Sequence, residues 1–208
     1  MARGQQASGS PSETSEAPET SPGGTEVGDP EAQARQICLR LLTIAPRTRA
    51  QLAQALHRRR VPDEAAEAVL SRFADVGLID DAAFARAWVE SRHHSRGLSR
   101  RSLSAELRRQ GVENEEIREA VETLDPEQEV ATARRLVEQK LAGTRGQPPE
   151  VRVRRAAGTL ARKGYPAGLV FRLIKEVLEQ EGPQSSAEAE AEAEAFDLDP
   201  DQYLDPGD

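Results

Sequence analysis

Residues 103–124, LSAELRRQGVENEEIREAVETL, decide how the rest of the chain is read. After Gly111 and Val112, apolar residues stand at Ile117, Ala120, Val121 and Leu124. Steps of three, four and seven put them on one stripe of a helix and leave the interleaved Glu and Arg on the opposite face. Two further stretches align with this one: residues 52–73, LAQALHRRRVPDEAAEAVLSRF, and residues 156–177, AAGTLARKGYPAGLVFRLIKEV. The anchors Val61, Val112 and Tyr165 lie about fifty residues apart, near the upper end of known repeat periods. Five positions before each anchor is Leu56, Leu107 or Leu160, and twelve after it Phe73, Leu124 or Val177.

Each repeat therefore ends in an amphipathic helix preceded by a second helix. A longer first helix is expected to begin at Asp29-Pro30, Asp80-Asp81 and Asp125-Pro126. There an Asp carboxylate caps the helix start, and Pro at the first position forfeits no hydrogen bond. Thr48 and Ser99 suit the caps of the second helices, Thr48 with Gln51 as a capping box. β-Branched and aromatic residues are scarce, and nothing reads as a strand. The sequence thus predicts an all-α protein of three tandem three-helix repeats over 31–79, 80–124 and 125–182. Units this small bury too little surface to be very stable alone, so they are expected to stack into an elongated curved body. Residues 143–149, GTRGQPP, read as a flexible connection inside the third unit.

The net charge of −8 conceals an uneven distribution. Residues 1–30 hold one base and five acids, and residues 183–208 hold nine acids and no base, leaving +5 on the middle. Both ends lack apolar periodicity and are expected to be disordered tails. A mildly basic body keeps a nucleic-acid or acidic-protein partner in play. The single cysteine, Cys38, stands in an apolar run and reads as a buried small hydrophobe. No apolar run approaches the roughly 20 residues needed to cross a bilayer, and the amino terminus does not read as a signal peptide. A cytoplasmic protein is expected.

No convergent set of catalytic groups is evident, so no enzyme and no cofactor are expected. His93 and His94 are adjacent and point about 100° apart on a helix, a poor start for a shared metal. Asp80-Asp81 reads as a helix start before it reads as an acid/base pair. Phe84 and Trp88, four apart, suit a core stripe. The arginines are concentrated: Arg92, Arg96, Arg100, Arg101, Arg108 and Arg109 face one acid, Glu106, across the same stretch. Arg58 and Arg59 with Arg60, and Arg152, Arg154, Arg155, Arg162 and Lys163, take corresponding places in the outer units. Basic groups in three places along one body suit a long, regular, negatively charged partner.

Residues 77–112, GLIDDAAFARAWVESRHHSRGLSRRSLSAELRRQGV, closely resemble the central motif of the RecX regulatory proteins. The matching positions are Ile79, Asp80, Asp81, Phe84, Ala85, Trp88, Val89, Arg92, Gly97, Leu103, Glu106, Leu107, Gly111 and Val112. The resemblance continues more weakly from about 33 to 180. It implies tandem three-helix repeats and a modulator, usually an inhibitor, of RecA in DNA repair, recombination and the SOS response. Such a protein binds in the groove of the RecA–DNA filament, with single- or double-stranded DNA as a further partner, blocks strand exchange and ATP hydrolysis, and acts as a monomer. The acidic ends depart from the family's shared region. The competing reading is a helix-turn-helix transcriptional regulator, but the second helices carry few of the Asn, Gln and Ser residues that read base edges.

Overall fold

A computed structural model describes residues 29–181; the tails expected over 1–30 and 183–208 lie outside them, save Asp29 and Pro30. Nine helices and no strand are present among the described residues: α1 (Pro30–Ile44), α2 (Arg49–Arg58), α3 (Asp63–Asp75), α4 (Asp81–Arg96), α5 (Arg100–Arg109), α6 (Asn114–Glu122), α7 (Pro126–Ala142), α8 (Pro149–Arg162) and α9 (Ala167–Glu181). The first helices start as the capping chemistry predicts. Asp29 accepts from the Glu31 N–H, Asp80 from Ala83 at 2.7 Å and Asp125 from Glu127 at 2.9 Å. Thr48 closes the capping box with Gln51, and Ser99 accepts from the Ser102 N–H.

Three separate cores result, one per three-helix unit. Leu52, Leu56, Val61, Val69, Leu70 and Phe73 fill the first; Leu103, Leu107, Val112, Ile117 and Leu124 the second. Leu160, Tyr165, Val170, Leu173, Ile174 and Val177 lie in the third. Leu56, Leu107 and Leu160, equivalent in the alignment, are all fully buried. Cys38 is buried in the first core, and that burial raises its thiol pKa.

The units dock in series by one device used twice. At the first junction the start of α2 meets the corner after α5: the Thr48 hydroxyl donates to the Gln110 carbonyl at 2.7 Å. The Arg49 N–H, one of the orphan donors of a helix start, donates to Asp81 Oδ1 of α4 at 2.9 Å. Burial pushes the Asp81 carboxyl up, while the Arg49 N–H and guanidinium pull it back. At the second junction the start of α5 meets the corner after α8. The Ser99 N–H donates to the Lys163 carbonyl at 3.0 Å, and the Arg100 N–H donates to Glu129 Oε1 of α7 at 2.9 Å. His93 and Tyr165 add to it: Tyr165 donates to the Gly97 carbonyl at 3.1 Å, and His93 Nε2 lies 3.0 Å from the Thr132 hydroxyl. No hydrogen bond or ion pair among the described residues joins the first unit to the third.

The corner that enters each junction holds a left-handed glycine, Gly111 at φ 80° and Gly164 at φ 83°. A Cβ at Gly111 would stand 2.3 Å from the Ala50 Cβ, and one at Gly164 would stand 2.2 Å from the Ser102 hydroxyl. The equivalent corner of the first unit meets no other unit among the described residues, and there Arg60 takes φ 58°. Its side chain is exposed, so only the backbone preference is strained, at about 1–2 kcal/mol. The equivalent helix of the third unit starts differently. α8 begins at Pro149 after Pro148, without the side-chain cap of α2 and α5.

Candidate binding surface

Docking sorts the arginines into those that hold the frame and those left at the surface. Glu106 of α5 reaches back to α4, where its carboxylate lies 4.0 Å from Arg92 and 3.4 Å from Arg96 and accepts from the Trp88 indole N–H at 2.9 Å. The Arg92 guanidinium sits 4.4 Å from the Trp88 ring centroid, a cation–π stack. Arg100 belongs to the second junction, pairing with Glu129 at 3.5 Å and donating to the Leu124 carbonyl. Lys163 donates its ammonium to the Arg96 carbonyl across that junction. Arg152 differs from its surface expectation: it is buried under α9, with Glu181 Oε2 at 2.6 Å. Its position on the inward side of α8, beside Val153 and Ala156, is the reason.

Exposed and without a carboxylate partner among the described residues are Arg101, Arg109, Arg154, Arg155 and Arg162. Arg108 bonds only Asn114 Oδ1 at 3.3 Å, Arg58 only Gln54 at 3.3 Å, and Arg59 the Ala55 carbonyl at 3.1 Å. These exposed arginines share a register that composition alone does not reveal. Three residues before each anchor is an exposed arginine: Arg58, Arg109 and Arg162. Eight residues earlier, Arg101 on α5 and Arg154 on α8 are again equivalent. Eight residues are about 12 Å of helix rise and about 80° of rotation, so each pair lies on one side of its helix. Ala105 and Gly158 stand midway, small enough to let a backbone approach. The alignment of anchors contained this signal, but a basic cluster by itself does not say which members face neighbours.

Phe84 and Trp88 stack at 5.5 Å between centroids, but they are partly buried against the second core, not inside it. Stacked between Phe84 and Arg92 along α4, the indole also lines an open groove between the first and second units. Trp88→Ala is accordingly expected to cost about 2 kcal/mol, less than the roughly 3–5 kcal/mol of a fully enclosed ring. Urea unfolding followed by circular dichroism checks this; a loss of about 4 kcal/mol or more would put the ring in the core after all. Of the two neighbouring histidines, His93 is buried, with Nδ1 2.9 Å from the Leu98 carbonyl, and His94 is exposed. No group of His, Cys, Asp or Glu suited to a metal ion occurs among the described residues. No helix among them is long and apolar enough to cross a membrane.

Serially docked three-helix units with arginines recurring at one register form an all-α tandem-repeat protein. Family models described as the first, second and third three-helix domains of RecX match residues 34–73, 80–121 and 127–174. The Regulatory protein RecX of Thermobifida fusca is 62% identical over 162 residues, covering 77% of this chain and 88% of its own. That of Streptomyces coelicolor is 62% identical over 154 residues, covering 74% and 82%. A crystal structure of regulatory protein RecX superposes with a TM-score of 0.65 at 26% identity, covering 71% of this chain and 74% of that one. RecX from Lactobacillus salivarius, at 16% identity and a TM-score of 0.65, covers 71% of this chain and 96% of its own, a likeness of fold. The chain belongs to the RecX family of regulatory proteins.

Proposed function

We propose that this protein binds RecA and its DNA filament and restrains it, inhibiting strand exchange and ATP hydrolysis in DNA repair and the SOS response. It acts as a cytoplasmic monomer without a cofactor or catalytic step of its own. The observation that carries the reading is the recurrence of exposed arginines, Arg58, Arg109 and Arg162, at one register of three serially docked units, with Arg101, Arg154 and Arg155 beside them. A repeating partner is met best by repeating contacts. Arginines at a surface contribute little to stability and much to association with a charged partner. Arg92, Arg96, Arg100 and Lys163 serve the same surface indirectly, by fixing how α5 and α8 are presented.

Purified protein is expected to slow RecA's ATPase on single-stranded DNA at well below one molecule per RecA protomer, since one elongated body spans several protomers. No effect across a wide titration, with tight sequence-specific binding to duplex DNA instead, would favour a transcriptional regulator. Changing Arg101, Arg109, Arg154 and Arg162 together to alanine should weaken filament binding while leaving the melting transition in place. Where these residues meet phosphates, the slope of log affinity against log salt falls by about 0.7–0.9 for each phosphate that is no longer neutralised. An unchanged slope with unchanged affinity would remove these four residues from the binding surface.

A further inference from the structure

The groove beside Trp88 takes no part in the arginine surface. Leu42, Ala45, Pro46 and Arg47 at the end of α1 form one wall, the corner residues Gly77, Leu78 and Asp80 the second, and Ala83, Phe84, Ala87, Trp88, Ser91 and Arg92 of α4 the floor. It holds about 710 Å³, within the roughly 300–1,000 Å³ of sites that enclose a few side chains. The exposed large apolar side chains among the described residues, Leu39, Ile44, Val76 and Leu78, all belong to α1 or to the corner between α3 and α4. Leu78 lines the groove itself, and an apolar patch left open on a small protein marks an interaction site. Its rim is basic in effect. Arg47 has no ion pair among the described residues, and its Nε is shielded from solvent without a hydrogen-bond partner. Arg92 stands over Trp88 with Glu106 4.0 Å away at the far side, so the lining itself sets two cations, Arg47 and Arg92, against one acid, Asp80, which caps α4 through the Ala83 N–H.

An occupant must therefore supply large apolar side chains interleaved with carboxylates. The chain carries such a segment. After the Ala-Glu run of residues 187–195, the sequence changes to FDLDPDQYLD over 196–205. Outside residues 29–181, the large apolar residues are Met1, Val27, Phe196, Leu198, Tyr203 and Leu204, so four of the six fall in this segment, beside Asp197, Asp199, Asp201 and Asp205. A solubilising tail has no use for them. α9 ends at Glu181, and the 15 residues from there to Phe196 reach about 50 Å when extended. That crosses several helices packed about 10 Å apart.

We propose that the groove between α1, the α3–α4 corner and α4 is the docking site of this chain's own residues 196–204. Phe196 and Leu198 enter against Phe84, Trp88 and Leu42, and the aspartates pair with Arg47 and Arg92. The docked segment covers the apolar patch and sets carboxylates at the edge of the second unit, a built-in competitor for any acidic partner approaching there. Docking of this kind is independent of RecA binding, and its test needs neither RecA nor DNA.

Trp88 is the single tryptophan of the chain and lines the groove, so its fluorescence reports occupancy directly. In the full chain its emission should lie at shorter wavelength and resist acrylamide quenching more than in a chain ending at residue 182. A peptide of residues 191–208, which has no tryptophan, should restore the shorter wavelength to the truncated chain in a saturable way. Full-length protein with Phe196, Leu198, Tyr203 and Leu204 changed to serine keeps every acid and should behave like the truncated chain. Ala87→Glu puts a carboxylate on the exposed floor of the groove without disturbing the core, and should abolish the difference between long and short chains. Identical emission and quenching with and without residues 183–208 would overturn the proposal. So would full docking by the serine variant, which would assign the association to charge alone. A shift that grows with protein concentration together with a dimeric mass would also overturn it, placing the segment in a second copy.

Discussion

Gly164→Ala is expected to uncouple the third unit from the second. Gly164 has φ 83°, where an L side chain is strained, and a Cβ there would stand 2.2 Å from the Ser102 hydroxyl and 2.6 Å from that of Ser99. Ser99 is the cap of α5 and is buried, so it has no room to withdraw. Relief requires the corner to back away from the start of α5, which breaks the Ser99 N–H bond to the Lys163 carbonyl and the Tyr165 bond to the Gly97 carbonyl. Left-handed strain of about 1–2 kcal/mol with two weakened bonds of about 1 kcal/mol each gives a loss of about 3–4 kcal/mol. Tyr165 is buried and its phenol pKa is raised chiefly by that burial, so an opened junction should also let the phenol ionise at lower pH. Gly146→Ala is the control, since Gly146 has φ 86° but nothing within 4 Å of its Cβ position. That variant should lose about 1–2 kcal/mol, the backbone strain alone. Thermal melting followed by circular dichroism should show one cooperative transition for the control and two for Gly164→Ala. Equal melting of the two variants would mean the junction carries no coupling.

Glu181→Gln is expected to destabilise the third unit by about 2–3 kcal/mol, because it removes the compensating charge from a buried guanidinium. Arg152 is 8% exposed, pairs with Glu181 Oε2 at 2.6 Å, donates to the Leu141 carbonyl at 3.3 Å, and has an Nε without a partner. The pair ties the end of α9 to α8, with Arg145 adding a second cation to the same carboxylate at 3.6 Å. A quarter of the Glu181 side chain meets solvent, which keeps the figure below that of a sealed pair. Arg152→Met should cost less than Glu181→Gln, since it removes the charge together with the need for a partner. The hydrogen bond from Arg152 holds the Glu181 carboxyl below the usual glutamate range against the opposing effect of burial. A depressed folded-state value contributes stability that is present at neutral pH and lost as pH falls below the ordinary glutamate value and through the folded one. Stability of the parent should therefore decline over that acid range more steeply than that of Glu181→Gln, as urea midpoints at neutral and acid pH would show. Parallel pH profiles would detach the pair from the stability of this unit.

The aligned stretches contain most of the fold because helix starts and core stripes are local properties. Asp29, Asp80, Asp125, Thr48 and Ser99 cap helices as their positions predict, each bond reaching only two or three residues along the chain. Leu56, Leu107 and Leu160 are buried because the spacing of their neighbours leaves them no other side to face. The candidate surface was legible only as a concentration of arginine. Arg100 and Arg101 are adjacent and chemically identical, yet the first is clasped by Glu129 across a junction and the second is free at the surface. Arg152 and Arg154, two residues apart, divide in the same way between buried and exposed.

By itself the sequence determined the three-fold repeat, the helices with their caps, the core of each unit and, through its resemblance, the family. Tertiary structure alone decided which cations remain available, that Gly111 and Gly164 each admit a neighbouring unit, and that Trp88 lines a groove between two units. The physical reason is the range of the forces. Periodicity and capping act within one or two turns of helix. A polar residue that faces the next unit and one that faces water carry the same pattern until the chain brings a distant carboxylate, such as Glu106 or Glu129, within reach of one of them.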